Sequence, residues 1–367
     1  MQTLSGHLVL PDQILPGTVT FSEKILTVSE NTSVPDRYIL PGFIDGHVHG
    51  GNGADTMDGV EAIHTLARFH ATHGTTTILP TTITRPWADV MDALRAVAES
   101  VRTQCAGGPV IHGAHLEGPF VSPHKLGAQP PYAIAPTEDR VTEALATGCV
   151  KVVTLAPELP HAEQAMEQFV AAGVRVSMGH TVATYEQTEK AICHVCSAGG
   201  VVGATHLFNA MAPITSRKPG PVTALMCSDA YAEMIFDTHH VHPATFRLAH
   251  KVMEDRLLFV TDAMRATGLP EGPSQLGGQD VIVKDGAVRL PDGSLAGSVL
   301  TLDVALRNAL KTGTPLVKAS ALLSSNPARY LGLTDRGTLE AGKRADYVVM
   351  DSSFMVQEVW VGGQRIH

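Results

Sequence analysis

One repeating pattern constrains this chain more than any other. Eight times between residues 39 and 264, an apolar, β-branched run ends in a polar or glycine-rich break and usually gives way to a helical stretch. The runs are ILPGFIDGHVH, GTTTILPTT, VIHGAHLEG, VKVVTLAPE, VRVSMGHT, GVVGATHLFNAM, AEMIFDTHHVH and RLLFVTDAM. Stretches such as GVEAIHTLARFHATHG, WADVMDALRAVAESVRT and HAEQAMEQFVAAG read as the intervening helices. Eight strand–helix units over roughly 300 residues predict an α/β fold of the (β/α)8 TIM-barrel type. A doubly wound open sheet is the competing arrangement, but no dinucleotide-type glycine loop follows the first run.

The two ends of the chain behave differently. HLVL, GTVTF and KILTV near the start, and ADYVVMD and VQEVWVGGQRI at the finish, are short strand patterns broken by turns. Neither end is large enough to bury a core alone, so both are expected to pair into one small β-domain. The predicted organisation is residues 1–39 in that domain, 40–335 in the barrel, and 336–367 returning to the first domain.

A parallel barrel gathers the C-terminal ends of its strands on one face, where active sites lie. Those ends carry His47, His49, Thr82, Glu117, Glu158, His180, His206, His240 and Asp262. Side chains two apart on a strand share a face, so His47 and His49 can reach one ion. A carboxylate such as Glu117, emerging from an apolar strand, is costly to bury unless it is paired or metal-bound. His180 and His206, each alone, would read as hydrogen-bonded core residues. At equivalent strand ends beside Glu117 and the His-x-His pair, they read as ligands. Imidazole and carboxylate donors suit zinc or another first-row divalent ion such as iron, manganese or cobalt. Asp262 is placed to take and return the proton of a water in such a cup.

Composition removes several other functions. A formal charge of −9 argues against a nucleic-acid or anionic-membrane partner, although a local pocket can still take a small anion. No uninterrupted apolar stretch approaches the roughly 18 residues of a membrane span, and the start of the chain shows no leader pattern, so a cytoplasmic protein is expected. Five scattered cysteines make no disulfide framework. Cys193 and Cys196 form a lone C-x-x-C on an expected helix and read as structural, as do His64, His70 and His73 around the first barrel helix.

Taken together, PGFIDGHVHG, HLEGPF, KLGAQ, MGHT, THLFNAM, SRKPG, VTDAM, LAGS and GTLEAGKRADYVVMD resemble the amidohydrolase superfamily, and within it the N-acetylglucosamine-6-phosphate deacetylases. The resemblance runs from residue 40 to residue 351, with HLEGPF and THLFNAM its most specific parts. It implies that the barrel is joined to a small β-sandwich built from both termini, and that the chain is a metal-dependent hydrolase that splits the acetamide of an N-acetyl amino-sugar phosphate. It assigns Glu117, His180 and His206 to the main ion and Asp262 to proton transfer. His47 and His49 would serve a second ion bridged by Glu117, although some relatives lack the second histidine and work with one. Many amidohydrolases bridge their ions with a carboxylated lysine on the fourth strand. Lys151 lies at the wrong end of that strand, which favours Glu117 as the bridge.

The resemblance also implies substrate contacts at Ala128, Gln129, Asn209, Ala210, Arg217, His240, Leu295, Ala296 and Gly297. Arg217 would clamp a phosphate and, as in several relatives, reach the neighbouring site of a homodimer. The segment DTHHVHP offers His239, His240 and His242 for one role, and Gln129 stands where the family often carries histidine. Hydrolysis of the galactosamine epimer is the rival activity, and a barrel kept only for binding is the rival class.

Overall fold

The computed structural model describes all 367 residues. Eight parallel strands form the barrel: β1 (Phe43–Val48), β2 (Thr75–Pro80), β3 (Ala114–Glu117), β4 (Val150–Leu155), β5 (Arg175–Met178), β6 (Val202–Ala204), β7 (Tyr231–Met234) and β8 (Leu257–Phe259). Each is followed by a helix: α1 (Val60–Ala71), α2 (Trp87–Thr103), α3 (Glu138–Ala146), α4 (Ala162–Ala171), α5 (Tyr185–Ser197), α6 (Gly220–Met226), α7 (Pro243–Met253) and α8 (Leu302–Lys311). The strands are apolar along their length because both faces are covered; every residue of β1 and β2 is buried. The helices bury one stripe each, as in α1, where Ile63, Leu66, Ala67, His70 and Ala71 recur at helical spacing. Strands and helices thereby share one continuous hydrophobic core.

The barrel is not hydrogen-bonded uniformly. Strands β3 to β8 make an unbroken parallel ladder. Strands β1 and β2 form a separate ladder with Val110–Ile111, the start of the third run, and β2 meets β3 through a bridge between Thr81 and His115. Between β8 and β1 the closure lies beyond the end of β8. There the Asp262 amide donates to the His47 carbonyl at 2.9 Å, and the His49 amide to the Ala263 carbonyl at 2.9 Å. The Thr261 hydroxyl adds a bond to the Asp45 carboxylate at 2.7 Å.

Strands from both ends of the chain form a seven-stranded sheet with Tyr38–Pro41 between the N-terminal and C-terminal strands. Phe21 and Tyr347 stand three strands apart, which in a flat sheet is about 14 Å. Their ring centroids are 5.1 Å apart, so the sheet folds over its own core in the manner of a sandwich.

A smaller antiparallel sheet, Gly272–Leu276, Gln279–Lys284 and Ala287–Arg289, was not foreseen within the barrel segment. It is inserted between β8 and α8 and packs Leu276, Val281, Val283 and Val288 on Ile83, Met264 and Ala296 beside the barrel mouth. Its sequence signal is DVIVKDGAVRL, alternating strands around an Asp-Gly turn at Asp285 and Gly286, both with positive φ.

Candidate active site

The strand ends converge on a cavity of 220 Å³. His49, Glu117, Ala128, Gln129, His180, His206, Asn209, Ala210, His240, Asp262, Leu295 and Gly297 line it. His47 is buried behind His49, and Ala296 is enclosed in the core of the small sheet. Arg217 is not brought here: it stands exposed on the loop before α6 and lines a different cavity with Lys218.

Glu117 is the centre of the arrangement. Its Oε1 lies 3.1 Å from His180 Nε2 and 3.0 Å from His206 Nε2, and these two nitrogens are 3.1 Å apart. Its Oε2 lies 3.2 Å from His49 Nε2 and 3.6 Å from His47 Nε2. Asp262 Oδ1 faces the same pair, 3.1 Å from His49 and 3.5 Å from His47. One carboxylate thus divides its oxygens between two histidine pairs.

The donor chemistry fits cations. His180 Nδ1 meets the Lys125 carbonyl at 3.1 Å, His49 Nδ1 the Thr81 carbonyl at 3.2 Å, and His47 Nδ1 the Glu233 carboxylate at 2.9 Å. These partners only accept, so each Nδ1 carries the hydrogen and the neutral ring turns a bare Nε2 lone pair inward. Lone pairs and carboxylate oxygens facing one another need positive charge between them, and no lysine or arginine lines the cavity. The protonation balance has the same cause. Burial would raise the Glu117 carboxyl, but His47, His180 and His206 outweigh it and hold it well below the ordinary range. Burial would likewise lower His49, yet Asp262 and Glu117 bring it up to about 9. Protons therefore compete with metal for these positions.

The backbone aims several of these groups. His180, His206 and Asp262 have φ of 47°, 33° and 48°, in the left-handed region that costs a non-glycine residue about 1–3 kcal/mol. Each stands just past its strand, where this turn of the chain redirects the side chain into the cup. Beyond β6, Phe208 and Ala210 are also left-handed, and Asn209 donates its side-chain amide to the His206 carbonyl at 3.2 Å.

Of the three histidines after β7, His240 lines the cavity and pairs its Nδ1 with Asp237 at 2.7 Å. His242 caps α7 through the Ala244 amide. Burial would raise the Asp237 carboxyl, and His240 with the loop amides outweighs it and lowers it. Gln129 is engaged at both ends: its Oε1 accepts from the Thr84 amide at 2.7 Å, and its Nε2 donates to Glu117 Oε2 at 2.7 Å.

Three buried residues here escaped sequence reasoning. Glu233, on β7, bonds His47; its signal was an acid inside the apolar run AEMIF. His115, two residues before Glu117 on β3, bonds the Gly46 carbonyl at 3.1 Å and the Thr154 hydroxyl at 2.8 Å. The same-face spacing that singles out His47 and His49 applies equally to His115 and Glu117. Asp45, two before His47, ties β1 to Thr261, and burial raises its carboxyl to about 6.

A metal-dependent hydrolase built on a (β/α)8 barrel is the class this geometry defines, and comparison with known proteins narrows it. The chain belongs to the amidohydrolase family, whose model matches residues 38–366. Within that family it falls among the N-acetylglucosamine-6-phosphate deacetylases. It is 35% identical to N-acetylglucosamine-6-phosphate deacetylase of Vibrio furnissii, over 98% of this chain and 95% of that protein. It is 37% identical to N-acetylgalactosamine-6-phosphate deacetylase of Escherichia coli O157:H7, over 96% of this chain and 93% of that protein. Among solved structures, an aspartate-to-alanine mutant of N-acetyl-D-glucosamine-6-phosphate deacetylase from Mycobacterium smegmatis, in complex with N-acetyl-D-glucosamine-6-phosphate, matches with a TM-score of 0.92. That match has 34% identity and covers 100% of this chain and 99% of the other.

Proposed function

We propose that the protein hydrolyses the acetamide of N-acetyl-D-glucosamine 6-phosphate, yielding D-glucosamine 6-phosphate and acetate in amino-sugar catabolism and recycling. The observation that carries this reading is Glu117 dividing its oxygens between two histidine pairs, with Asp262 facing the same cavity. Glu117, His180 and His206 would hold the main divalent ion, zinc by donor type, and His47, His49 and Glu117 a second. When bound, such an ion supplies Lewis acidity to a water and to the amide carbonyl.

The chain's own groups do the rest. Burial would raise the Asp262 carboxyl, but His47 and His49 outweigh it and bring it to about 2, so it enters as the anion. It accepts a proton as water adds to the carbonyl carbon, then delivers one to the amine nitrogen as the C–N bond breaks. Asn209, Ala210 and His240, with Ala128 and the backbone at Leu295–Gly297, would orient the sugar phosphate so that its acetamide meets Asp262. Gln129 would fix Glu117 through the bonds it already makes.

No lysine or arginine lines the cavity to take a phosphate, while Arg217 stands exposed on a loop beside exposed Ile214. This supports a homodimer in which Arg217 of each copy serves the other's site. A phosphorylated sugar is retained inside cells by its charge, which supports a cytoplasmic enzyme; no helix is long and apolar enough to cross a membrane.

Acetate release from N-acetylglucosamine 6-phosphate, measured against metal content, tests the reading. The likeness to the galactosamine-phosphate enzyme favours one rival, so both epimers are assayed side by side. Faster turnover of the galactosamine epimer would transfer the assignment to it.

A further inference from the structure

Glu233 is a buried carboxylate that the proposed chemistry does not use. It projects from β7 beneath the cavity and does not line it, so it touches no substrate. Its Oε2 lies 2.9 Å from His47 Nδ1 and accepts a longer bond of 3.4 Å from the His206 amide. Its Oε1 has no hydrogen-bond partner. The nearest further ring is His115, whose Nδ1 stands 3.8 Å away and is already committed to the Gly46 carbonyl. An ionised carboxylate this deep, with one direct side-chain partner and a free oxygen, is costly unless positive charge lies close behind that partner.

His47 is the only relay to such a charge. Its other nitrogen opens on His49, Glu117 and Asp262, at 3.2, 3.6 and 3.5 Å. We propose that Glu233 is the positioning residue that makes His47 and His49 a working second cation subsite. Accepting from His47 Nδ1, it fixes the tautomer whose Nε2 lone pair points into the cup. Its negative charge makes that lone pair more basic. His180 and His206 receive no equivalent: the first leans on a neutral carbonyl, and Nδ1 of the second has no partner. The carboxylate would thus bias the number of ions held, acting on one half of the centre.

The inference rests on the metal-dependent reading above, and its test is kept separate from it. Protein stripped with a chelator is reloaded with zinc or cobalt, and ions per subunit and stepwise affinities are measured without any sugar. The wild type is expected to take two ions. In Glu233→Leu, the first should bind unchanged and the second about 10–100-fold more weakly. Glu233→Gln keeps the volume and one acceptor but loses the charge, and should weaken the second ion by an intermediate factor; it decides the matter if the leucine variant does not fold. Unchanged second-ion affinity in both variants would overturn the proposal. So would loss of both ions together, which marks a merely structural role, or a wild type that holds only one. Acetate release by the wild type reports separately on the deacetylase reading.

Discussion

The two histidine groups of the metal cup rest on different foundations. Glu117, His180 and His206 extend from strands of one unbroken ladder, and their farthest bonded members are 89 residues apart. His47, His49 and Asp262 straddle the seam between β1 and β8, where side chains and loop amides replace strand pairing. The first group stands on the ladder, with Gln129 bracing Glu117 and the Lys125 carbonyl bracing His180. The second requires Asp45, Thr261 and Glu233 to fix its geometry, all buried and none lining the cavity. Similar ligands can thus be held by regular structure on one side and by a polar network on the other. The network side has more parts to fail.

The largest effect is expected from the residue both groups share. Glu117→Ala should abolish binding of both ions by elemental analysis and leave acetate release below that of every other variant; survival of either ion would show that the halves are independent. Asp262→Asn should keep the ions and substrate binding while hydrolysis falls about 10²–10⁴-fold, the range for a proton-transferring group. Near-normal turnover would remove Asp262 from the mechanism. His49→Gln should cost less than tenfold if the ladder group carries catalysis, with one ion per subunit retained. A dead variant would show that the seam group is essential.

The last effect concerns the stability of the seam side and leaves the chemistry untouched. His70 Nε2 donates to the Gly50 carbonyl at 3.0 Å, next to His49, and its buried Nδ1 has no partner. Burial lowers this imidazole to about 4, with the Gly50 bond opposing the shift. A neutral ring is therefore preferred in the folded state. Its contribution is fully present above the unfolded value near 6.5 and is lost as pH falls toward 4, amounting to roughly 3 kcal/mol at most. Urea unfolding between pH 7 and 5 should show this loss, and His70→Gln should flatten it. An unchanged slope in that variant would assign the acid sensitivity to other groups.

The barrel was legible because each strand, covered on both faces, leaves a continuous apolar run, and because ligands extend from the ends of those runs. His47 and His49 could be paired by strand periodicity, and Glu117 stood out as a carboxylate at the end of an apolar run. What the sequence concealed depends on backbone direction and on depth. The left-handed turns at His180, His206 and Asp262 leave no trace, since the residues that usually mark positive φ are glycine or asparagine. Glu233 and His115 looked like blemishes in apolar strands because nothing local says which partner satisfies a buried charge. Arg217 sits in a motif that implies substrate contact, yet only the path of its loop shows it outside the cavity of its own chain. The small sheet after β8 carried a clear Asp-Gly turn, but the eight-fold pattern had already claimed that segment.

The closure of β8 on β1 is expected to come late in assembly. Thr261 and His47 are bonded across 214 residues of chain, more than twice the span that joins Glu117 to His206. Contacts of such separation form late when a chain condenses from local units. A molecule that has built its ladder but not drawn its first strand home would hold an ion at Glu117, His180 and His206, while Asp262 would lack the His47 and His49 contacts that fix it. Activity in this protein is therefore a report that the ring is complete, and on refolding it should return after metal does.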